Sequence, residues 1–240
     1  MKTKNVAIIL ARGGSKGIPG KNWIDFCSMP LFYWSIFAAL EDDACDDVIV
    51  SSDSLAVKKL CDDLENEKIT FVERPTNISG DNSPSEEAID HALNKTGRSI
   101  NDNVIFLQPT SPFRHSGLIR NCIAKCSQGQ SVFTATAHTP LFWSCDKSGY
   151  FYKRYAHRKM RQEYLDEELM WHDCGNVYAF TVKDFDIEKN RHCGIANAIK
   201  SDCIHAMQID SKIDLDVCRK VSQTEVVQSW MSKIAKLSQK

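Results

Sequence analysis

Several features are absent from this 240-residue sequence, and each absence excludes a class of protein. The ten cysteines include no CxxC pair, which argues against the usual zinc-binding spacing and favours reduced, mostly buried thiols. No hydrophobic run approaches the roughly 20 residues that span a bilayer. The apolar part of MKTKNVAIIL is also too short for a signal peptide. The sequence therefore predicts a cytoplasmic protein with no membrane partner.

An excess of positive charge is also missing. The formal net charge is −1, so the chain lacks the basic field that general nucleic-acid binders use. Residues 138–173 do interleave aromatic with basic side chains, a pattern that can bind single-stranded nucleic acid. Because the whole chain is near neutral, we favour the alternative that these aromatics are buried, for example against a second subunit, and we expect no nucleic-acid partner.

The most informative stretch is the loop after the first apolar run, residues 6–10. Its glycines permit backbone turns that side chains would block, and its cations converge with backbone N–H groups on one point. A strand that enters such a loop is typical of a polyanion site, whereas the alternative is a glycine-rich surface hairpin. The glycines and cations are Gly13, Gly14, Gly17, Gly20, Arg12, Lys16 and Lys21.

Two common phosphate-binding loops do not fit this stretch. A P-loop requires Gly-Lys followed by Ser or Thr, but Asn22 follows Gly20 and Lys21. The dinucleotide fingerprint GxGxxG is absent because Gly13 and Gly14 are adjacent. The loop must therefore belong to a third type.

Apolar strand patterns alternate with helical patterns along the chain, which predicts an α/β fold with a mostly parallel sheet covered on both faces. In such sheets, sites lie at the carboxyl ends of the strands. The predicted strands are 6–10, 47–51, 69–72, 103–107, 131–137, 176–182 and 203–209, and the predicted helices are 30–40, 51–67, 83–93, 117–126 and 214–237.

The block ARGGSKGIPGKN resembles the N-terminal signature of the acylneuraminate cytidylyltransferases, the enzymes that make CMP-sialic acids. Four further blocks continue the resemblance in the family's order: RPTNISGDNSPSEE, LQPTSPFR, GNVYAF and QIDSKIDLD. The resemblance implies one cytidylyltransferase domain over residues 1–240, with a three-layer, Rossmann-like nucleotidyltransferase sheet. The aromatic residues and the break in α/β periodicity predict residues 138–175 as a dimerisation insertion, and hence a homodimer.

The resemblance assigns most of the loop to CTP, which brings about four negative charges that cations and metal must neutralise. Arg12, Lys21 and Asp210 are the expected catalytic residues, and Asn22 and Ser85 suit a pyrimidine or ribose edge. The implied nucleotide-binding residues are Leu10, Ala11, Arg12, Gly13, Gly14, Ser15, Lys16, Lys21, Asn22, Arg74 and Ser85.

The acceptor sugar acid is expected near LQPTSPFR and near an Arg-Gln pair in the aromatic segment. Arg114 suits the sugar carboxylate, because its fork binds both oxygens, but it serves equally well as a structural charge. The histidine and cysteine at His192 and Cys193 replace aromatics of some sialic-acid members, so the natural acid stays open. The implied substrate-binding residues are Gln108, Thr110, Ser111, Arg161 and Gln162.

The resemblance also implies a metal ion, Mg²⁺ or alternatively Mn²⁺, with Asp210 as its ligand. We expect Asp210 to end an apolar strand, and Asp214 to cap the last helix. The predicted reaction transfers CMP from CTP to the anomeric hydroxyl of a sialic-acid-like nonulosonate, such as N-acetylneuraminate, and releases pyrophosphate. Alternatives are legionaminate, pseudaminate, KDN or KDO as acceptor, a glycosyltransferase with Asp214 and Asp216 as a DxD pair, and a non-catalytic nucleotide-binding protein.

Overall fold

The computed structural model of the protein describes residues 2–41 and 45–237. The strands are β1 (Asn5–Leu10), β2 (Asp25–Phe26), β3 (Met29–Pro30), β4 (Asp47–Ser52), β5 (Ile69–Glu73), β6 (Asn103–Leu107), β7 (Gln130–His138), β8 (Trp143–Cys145), β9 (Phe151–Lys153), β10 (Met170–Thr181) and β11 (Ile195–Lys200). The helices are α1 (Tyr33–Glu41), α2 (Leu55–Asp62), α3 (Ser85–Lys95), α4 (Leu118–Lys125), α5 (Val182–Glu188), α6 (Lys212–Val221) and α7 (Glu225–Leu237).

Within these ranges, seven strands form one sheet in the order β11-β7-β10-β6-β1-β4-β5. Strands β5, β4, β1 and β6 are mutually parallel, and β11 runs parallel to β7. Strand β10 is antiparallel to both of its neighbours, β6 and β7. The predicted α/β class and mostly parallel sheet are therefore confirmed, with one antiparallel strand inserted.

Both faces of the sheet are covered, which explains why the central strands are continuous apolar runs. Val6 and Ile8 of β1 face a core with residues of α3 and α5. Ala7 and Ile9 face the opposite, larger core with residues of α1, α2, α4, α6 and α7. The result is the three-layer arrangement that the sequence predicted. None of the described helices is long and apolar enough to cross a membrane.

The predicted strand 203–209 is wrong. The Asp202 carboxylate accepts hydrogen bonds from the backbone N–H groups of Ile204 and His205, and this local side-chain pairing stabilises a turn instead of an extended strand. The strand of this region is β11, which lies earlier in the chain. Asp210 therefore follows an irregular segment rather than an apolar strand.

The single predicted C-terminal helix is two helices, α6 and α7. The hydroxyls of Ser222 and Thr224 bond to the backbone carbonyls of Arg219 and Val221, which offers the chain an alternative to helical pairing between them. The predicted cap is also one turn off. Ser211 is the N-cap of α6, and Asp214 lies at the third helical position in a capping box with it.

Between β7 and β10, residues 139–169 leave the seven-stranded sheet. Strands β7 and β10 extend together as far as the pair His138–Met170, and the hairpin β8–β9 and two short 3-10 helices lie between them. Many large apolar side chains here are at least two-fifths exposed, and Tyr150 and Phe151 are about two-thirds exposed (68% and 67%). We call residues 138–175 the arm. Its role as an interface stays a prediction.

Candidate functional site

A cavity of about 680 Å³ lies beyond the carboxyl ends of β1 and β6. This is where the sheet topology predicts a site. Its walls come from the glycine loop, from the segment before α3 with the start of that helix, from the segment after β6 and from the segment before α6. The residues that line it are Leu10, Arg12, Ser15, Lys16, Gly17, Lys21, Asn22, Arg74, Ile78, Gly80, Asp81, Asn82, Ser83, Pro84, Ser85, Ala88, Phe106, Gln108, Pro109, Thr110, Gln208 and Asp210.

The three loop cations all reach this cavity, and each is paired with a carboxylate. Asp81 accepts from Arg12 and from Lys16, with both N–O distances at 2.8 Å. The Lys21 ammonium donates to Asp210 Oδ1, also at 2.8 Å. Hydrogen bonding to Lys16 and then to Arg12 lowers the pKa of the Asp81 carboxyl below its usual value. The cavity therefore carries concentrated charge of both signs.

Two positions of the loop require glycine, each for a different structural reason. A Cβ on Gly17 would lie closer than 3.0 Å to the backbone carbonyl oxygen of Asp210, so only glycine allows this approach. Gly20 has φ 64°, a left-handed conformation that favours glycine, and it packs against the Trp23 ring. The loop is therefore held against the Asp210 segment by backbone contact as well as by charge.

The base of the loop is fixed to strand β4. Ala11 is fully buried; its N–H donates to Ser51, and its carbonyl accepts from the Ser52 hydroxyl at 2.6 Å. The Gly13 N–H donates to Asp53 Oδ1 at 2.6 Å. Of the predicted nucleotide-binding residues, Ala11, Gly13 and Gly14 do not line the cavity. Ala11 and Gly13 therefore serve to position the loop.

Asn22 and Arg74 reach the cavity with most of their surface buried. The Asn22 amide donates to the Arg12 carbonyl at 2.9 Å, which closes the loop across its ends. The Arg74 guanidinium donates to the Ser51 hydroxyl and carbonyl at 3.0 and 2.6 Å. Burial lowers the pKa of Arg74 to about 10. Both residues are therefore held in place by hydrogen bonds to the protein.

The predicted sugar-binding residues are only partly brought together. Gln108 and Thr110 line the cavity, but Ser111 is fully buried and its hydroxyl donates to the Gly175 carbonyl at 3.4 Å. Arg161 and Gln162 lie in the arm, where they are exposed and outside the described lining of the cavity. Ser111 therefore points into the protein, and Arg161 and Gln162 are separate from this site.

Arg114 is a structural charge, which was one of its two expected roles. Its guanidinium is buried and donates to the Ser35 hydroxyl and to the carbonyls of Gln108 and Asn176, at 2.7–3.0 Å. Burial lowers the pKa of this arginine. It ties the segment after β6 to α1 and β10, so it is not available to a sugar carboxylate.

Asp81 and Gln208 line the cavity, although the sequence pattern assigned them no role in the site. Gln208 donates to the Cys174 carbonyl at 2.7 Å. Gly175, with φ 68°, lies between the amides of Gln208 and Gln108 and leaves no room for a Cβ. Asp81 and Gln208 both belong to sequence blocks that carry the family resemblance. Their contact partners are distant in the chain, so the sequence pattern could not predict these contacts.

The residues present fit a metal ion that takes few protein ligands. Among the described residues, no group of three or more potential ligands is assembled. Asp210 faces the cavity with a side chain that is 66% exposed. The Asp214 carboxylate is instead occupied by the N–H groups of Asp210 and Ser211. One cavity-facing carboxylate, paired through one oxygen with Lys21, suits Mg²⁺, which commonly combines one or two carboxylates with substrate phosphates and water.

The comparison with protein families decides the relationship. A family model described as cytidylyltransferase matches residues 6–229. The chain belongs to this family. It is 32% identical over 188 residues to a pseudaminic acid cytidylyltransferase of Campylobacter jejuni, covering 75% of this chain and 79% of that protein. The family prediction made from the five sequence blocks is confirmed.

Two further proteins extend this comparison. The chain is 39% identical over 116 residues to an N-acylneuraminate cytidylyltransferase of Escherichia coli, covering 48% of this chain and 26% of that protein. Its fold is similar to that of a solved CMP:2-keto-3-deoxy-manno-octonic acid synthetase, with a TM-score of 0.62, 16% identity and coverage of 91% and 98%. The structural likeness supports the nucleotidyltransferase fold.

The glycine loop generates a prediction with an internal control. Gly17→Ala forces the loop away from the Asp210 carbonyl, and a misplacement of about 1 Å can cost up to about 100-fold in rate. We expect a loss of this order in the cytidylyltransferase activity, measured as kcat/KM. Gly14→Ala is the matched control, because no atom lies within 4 Å of its added Cβ. Equal activity of the two variants would contradict the proposed importance of this contact.

Proposed function

We propose that this enzyme transfers CMP from CTP to the anomeric hydroxyl of a nonulosonate sugar acid and releases pyrophosphate. The observation that carries the proposal is the convergence of Arg12, Lys16 and Lys21 on the cavity in a cytidylyltransferase chain. These cations match the charge of a triphosphate, and Gln108 and Thr110 offer neutral hydrogen-bonding groups for a hydroxyl-rich acceptor.

The residues that line the cavity have different proposed roles in the reaction. Arg12 and Lys16 hold the triphosphate, and Lys21, which is closest to Asp210, stabilises the charge that grows on the departing pyrophosphate. Asn22 and Ser85 face the same cavity and suit the cytidine. The acceptor hydroxyl attacks the α-phosphorus in line with the leaving group, so no covalent enzyme intermediate is required.

Asp210 is the proposed ligand for Mg²⁺, with Mn²⁺ as an alternative. A bound divalent cation would polarise the phosphate and help orient the reacting groups. The alternative DxD assignment to Asp214 and Asp216 is less favourable, because Asp214 is held in the helix cap and Asp216 lies 3.9 Å from Arg219 on α6. A nucleotide-sugar donor is correspondingly less well supported than a free triphosphate.

The acceptor is a sialic-acid-like nonulosonate. One relative is named for pseudaminic acid and another for N-acylneuraminate, so both acids, together with legionaminate and KDN, are candidates. KDO, an eight-carbon 2-keto sugar acid, is the alternative outside the nonulosonates. The side chain of His192 lies 3.2 Å from the Asp173 carboxylate, and Cys193 is fully buried. The positions expected to differ between members are therefore committed to contacts inside the protein.

The function is tested by measuring pyrophosphate release with each of the four nucleoside triphosphates and with each candidate acid. We expect release with CTP and one or more nonulosonates, and rates at least about tenfold lower with the other triphosphates. CMP release from a CMP-sugar would instead support the glycosyltransferase. Tight CTP binding with no turnover on any acid would support a nucleotide-binding protein.

The metal assignment predicts that Asp210→Asn lowers CTP turnover by at least about 100-fold, comparable to the loss of other transition-state charge stabilisation. Mg²⁺ titrations of the rate should shift to higher concentration in any residual activity. Asp216→Asn is the matched control, since it removes a carboxylate outside the cavity lining. Loss of turnover in Asp216→Asn alone would move the metal site to α6.

The arm is proposed to form a homodimer. Its exposed aromatics, such as Trp143 and Phe151, are the kind of residue enriched in interfaces. A second copy would also give Arg161 and Gln162 a way to meet a sugar, because they lie outside the cavity of their own chain. Light scattering at micromolar concentration should report a mass near twice 27.1 kDa; Trp143→Ser with Phe151→Ser should lower it toward the monomer. A monomeric wild type would refute the proposal.

A further inference from the structure

Asp81 links two walls of the cavity. It lies between the 3-10 turn Thr76–Ile78 and helix α3. Its Oδ1 accepts from the Arg12 guanidinium and its Oδ2 accepts from the Lys16 ammonium, each at 2.8 Å. Both oxygens of one carboxylate are thus directed at the glycine loop.

The cations that Asp81 pairs with are those proposed to hold the triphosphate. A phosphate group that takes both cations must either displace the carboxylate or remain beside a like charge, and the second arrangement is repulsive. The Asp81 side chain is 35% exposed and that of Lys16 is 83% exposed. The Arg12 side chain is 32% exposed, so water reaches all three groups. Ion pairs that water reaches contribute little to stability, so a triphosphate, with its higher charge, can displace the carboxylate.

The surrounding backbone is compatible with such an exchange. Ser79 donates from its hydroxyl to the Pro75 carbonyl, and Ser83 donates from its N–H to the Gly80 carbonyl. These two bonds lie within the segment or join it to the preceding turn, so they would persist if Asp81 left the glycine loop. Lys21 is paired separately, with Asp210, and would not be affected directly.

We propose that Asp81 is an electrostatic latch: its carboxylate competes with the triphosphate for Arg12 and Lys16, and binding of the triphosphate releases it. This inference rests on the proposed function, because it takes the glycine loop as the triphosphate site. It assigns to Asp81 the control of nucleotide affinity, in addition to the residues already placed in the cavity.

The test measures binding of inorganic tripolyphosphate by calorimetry, without sugar. We expect Asp81→Asn to bind it about 2- to 30-fold more tightly than the wild type, since two solvent-accessible ion pairs no longer compete. Asp81→Glu retains the charge and should stay close to the wild type. Asp62→Asn is the matched control, because it removes a carboxylate from the exposed Lys58–Asp62 pair, outside the cavity lining. The KM for CTP should fall in Asp81→Asn as well.

The outcomes separate this inference from the function. Equal or weaker tripolyphosphate binding by a folded Asp81→Asn protein overturns the latch, even if the wild type releases pyrophosphate from CTP. Weaker binding would show that Asp81 positions the two cations for the ligand. Tighter binding by Asp81→Asn supports the latch, and if no nonulosonate is then cytidylylated, it is the proposed function that fails.

Discussion

Neutralisation of charge at the glycine loop is the constraint on which the site depends. Three cations within ten residues repel one another unless carboxylates from elsewhere in the chain approach them. Asp81 reaches the loop from the segment before α3, and Asp210 reaches it from 189 positions away along the chain. The sheet makes this meeting possible, because β1 delivers the loop to an edge where the segments after β5 and before α6 also arrive. The ion pairs thus connect sequence blocks that are far apart along the chain.

Close backbone approach is the second constraint, and charge alone would not produce it. Gly17 lies against the Asp210 carbonyl, and the Gly13 N–H is bonded to the Asp53 carboxylate. Gly20 supplies a left-handed turn, whereas Gly14 has open space around it. The glycines that looked equivalent in the sequence therefore have different roles, and only the three-dimensional neighbours distinguish them. The loss of stability or activity on replacing a glycine with alanine should therefore differ from one position to the next.

The central strands could be predicted because a strand that is buried on both faces has a continuous run of apolar residues, as in β1 and β6. The edge strand β11 was missed because none of its residues is buried and most of them, including Ile195 and Lys200, are exposed, so its sequence lacks the apolar run of a central strand. The false strand 203–209 shows that a few apolar residues cannot outweigh the turn set by Asp202. In the site, the loop cations were predictable from their density. The inward orientation of Ser111 and Arg114 was not, because a polar residue in a turn gives no sign of the direction of its side chain.

The walls of the cavity differ in the charge of the side chains that line them. This difference bears on how one site could accommodate two substrates. The cations that line it, Arg12, Lys16, Lys21 and Arg74, come from or pack near the glycine loop. The segment after β6 offers the amide of Gln108 and the hydroxyl of Thr110 instead. The segment before α6 adds the amide of Gln208, on the other side of Gly175 from Gln108. Arg114 adds a cation beneath the segment after β6, but its two terminal nitrogens donate to Ser35 and to backbone carbonyls. Charge recognition at one end and neutral hydrogen bonding at the other would orient a triphosphate and a hydroxyl-rich acceptor in opposite directions. Under the proposed function and the proposed homodimer, the acceptor carboxylate would be bound by the exposed Arg161 of a second copy's arm, which would place the acceptor away from the triphosphate cations.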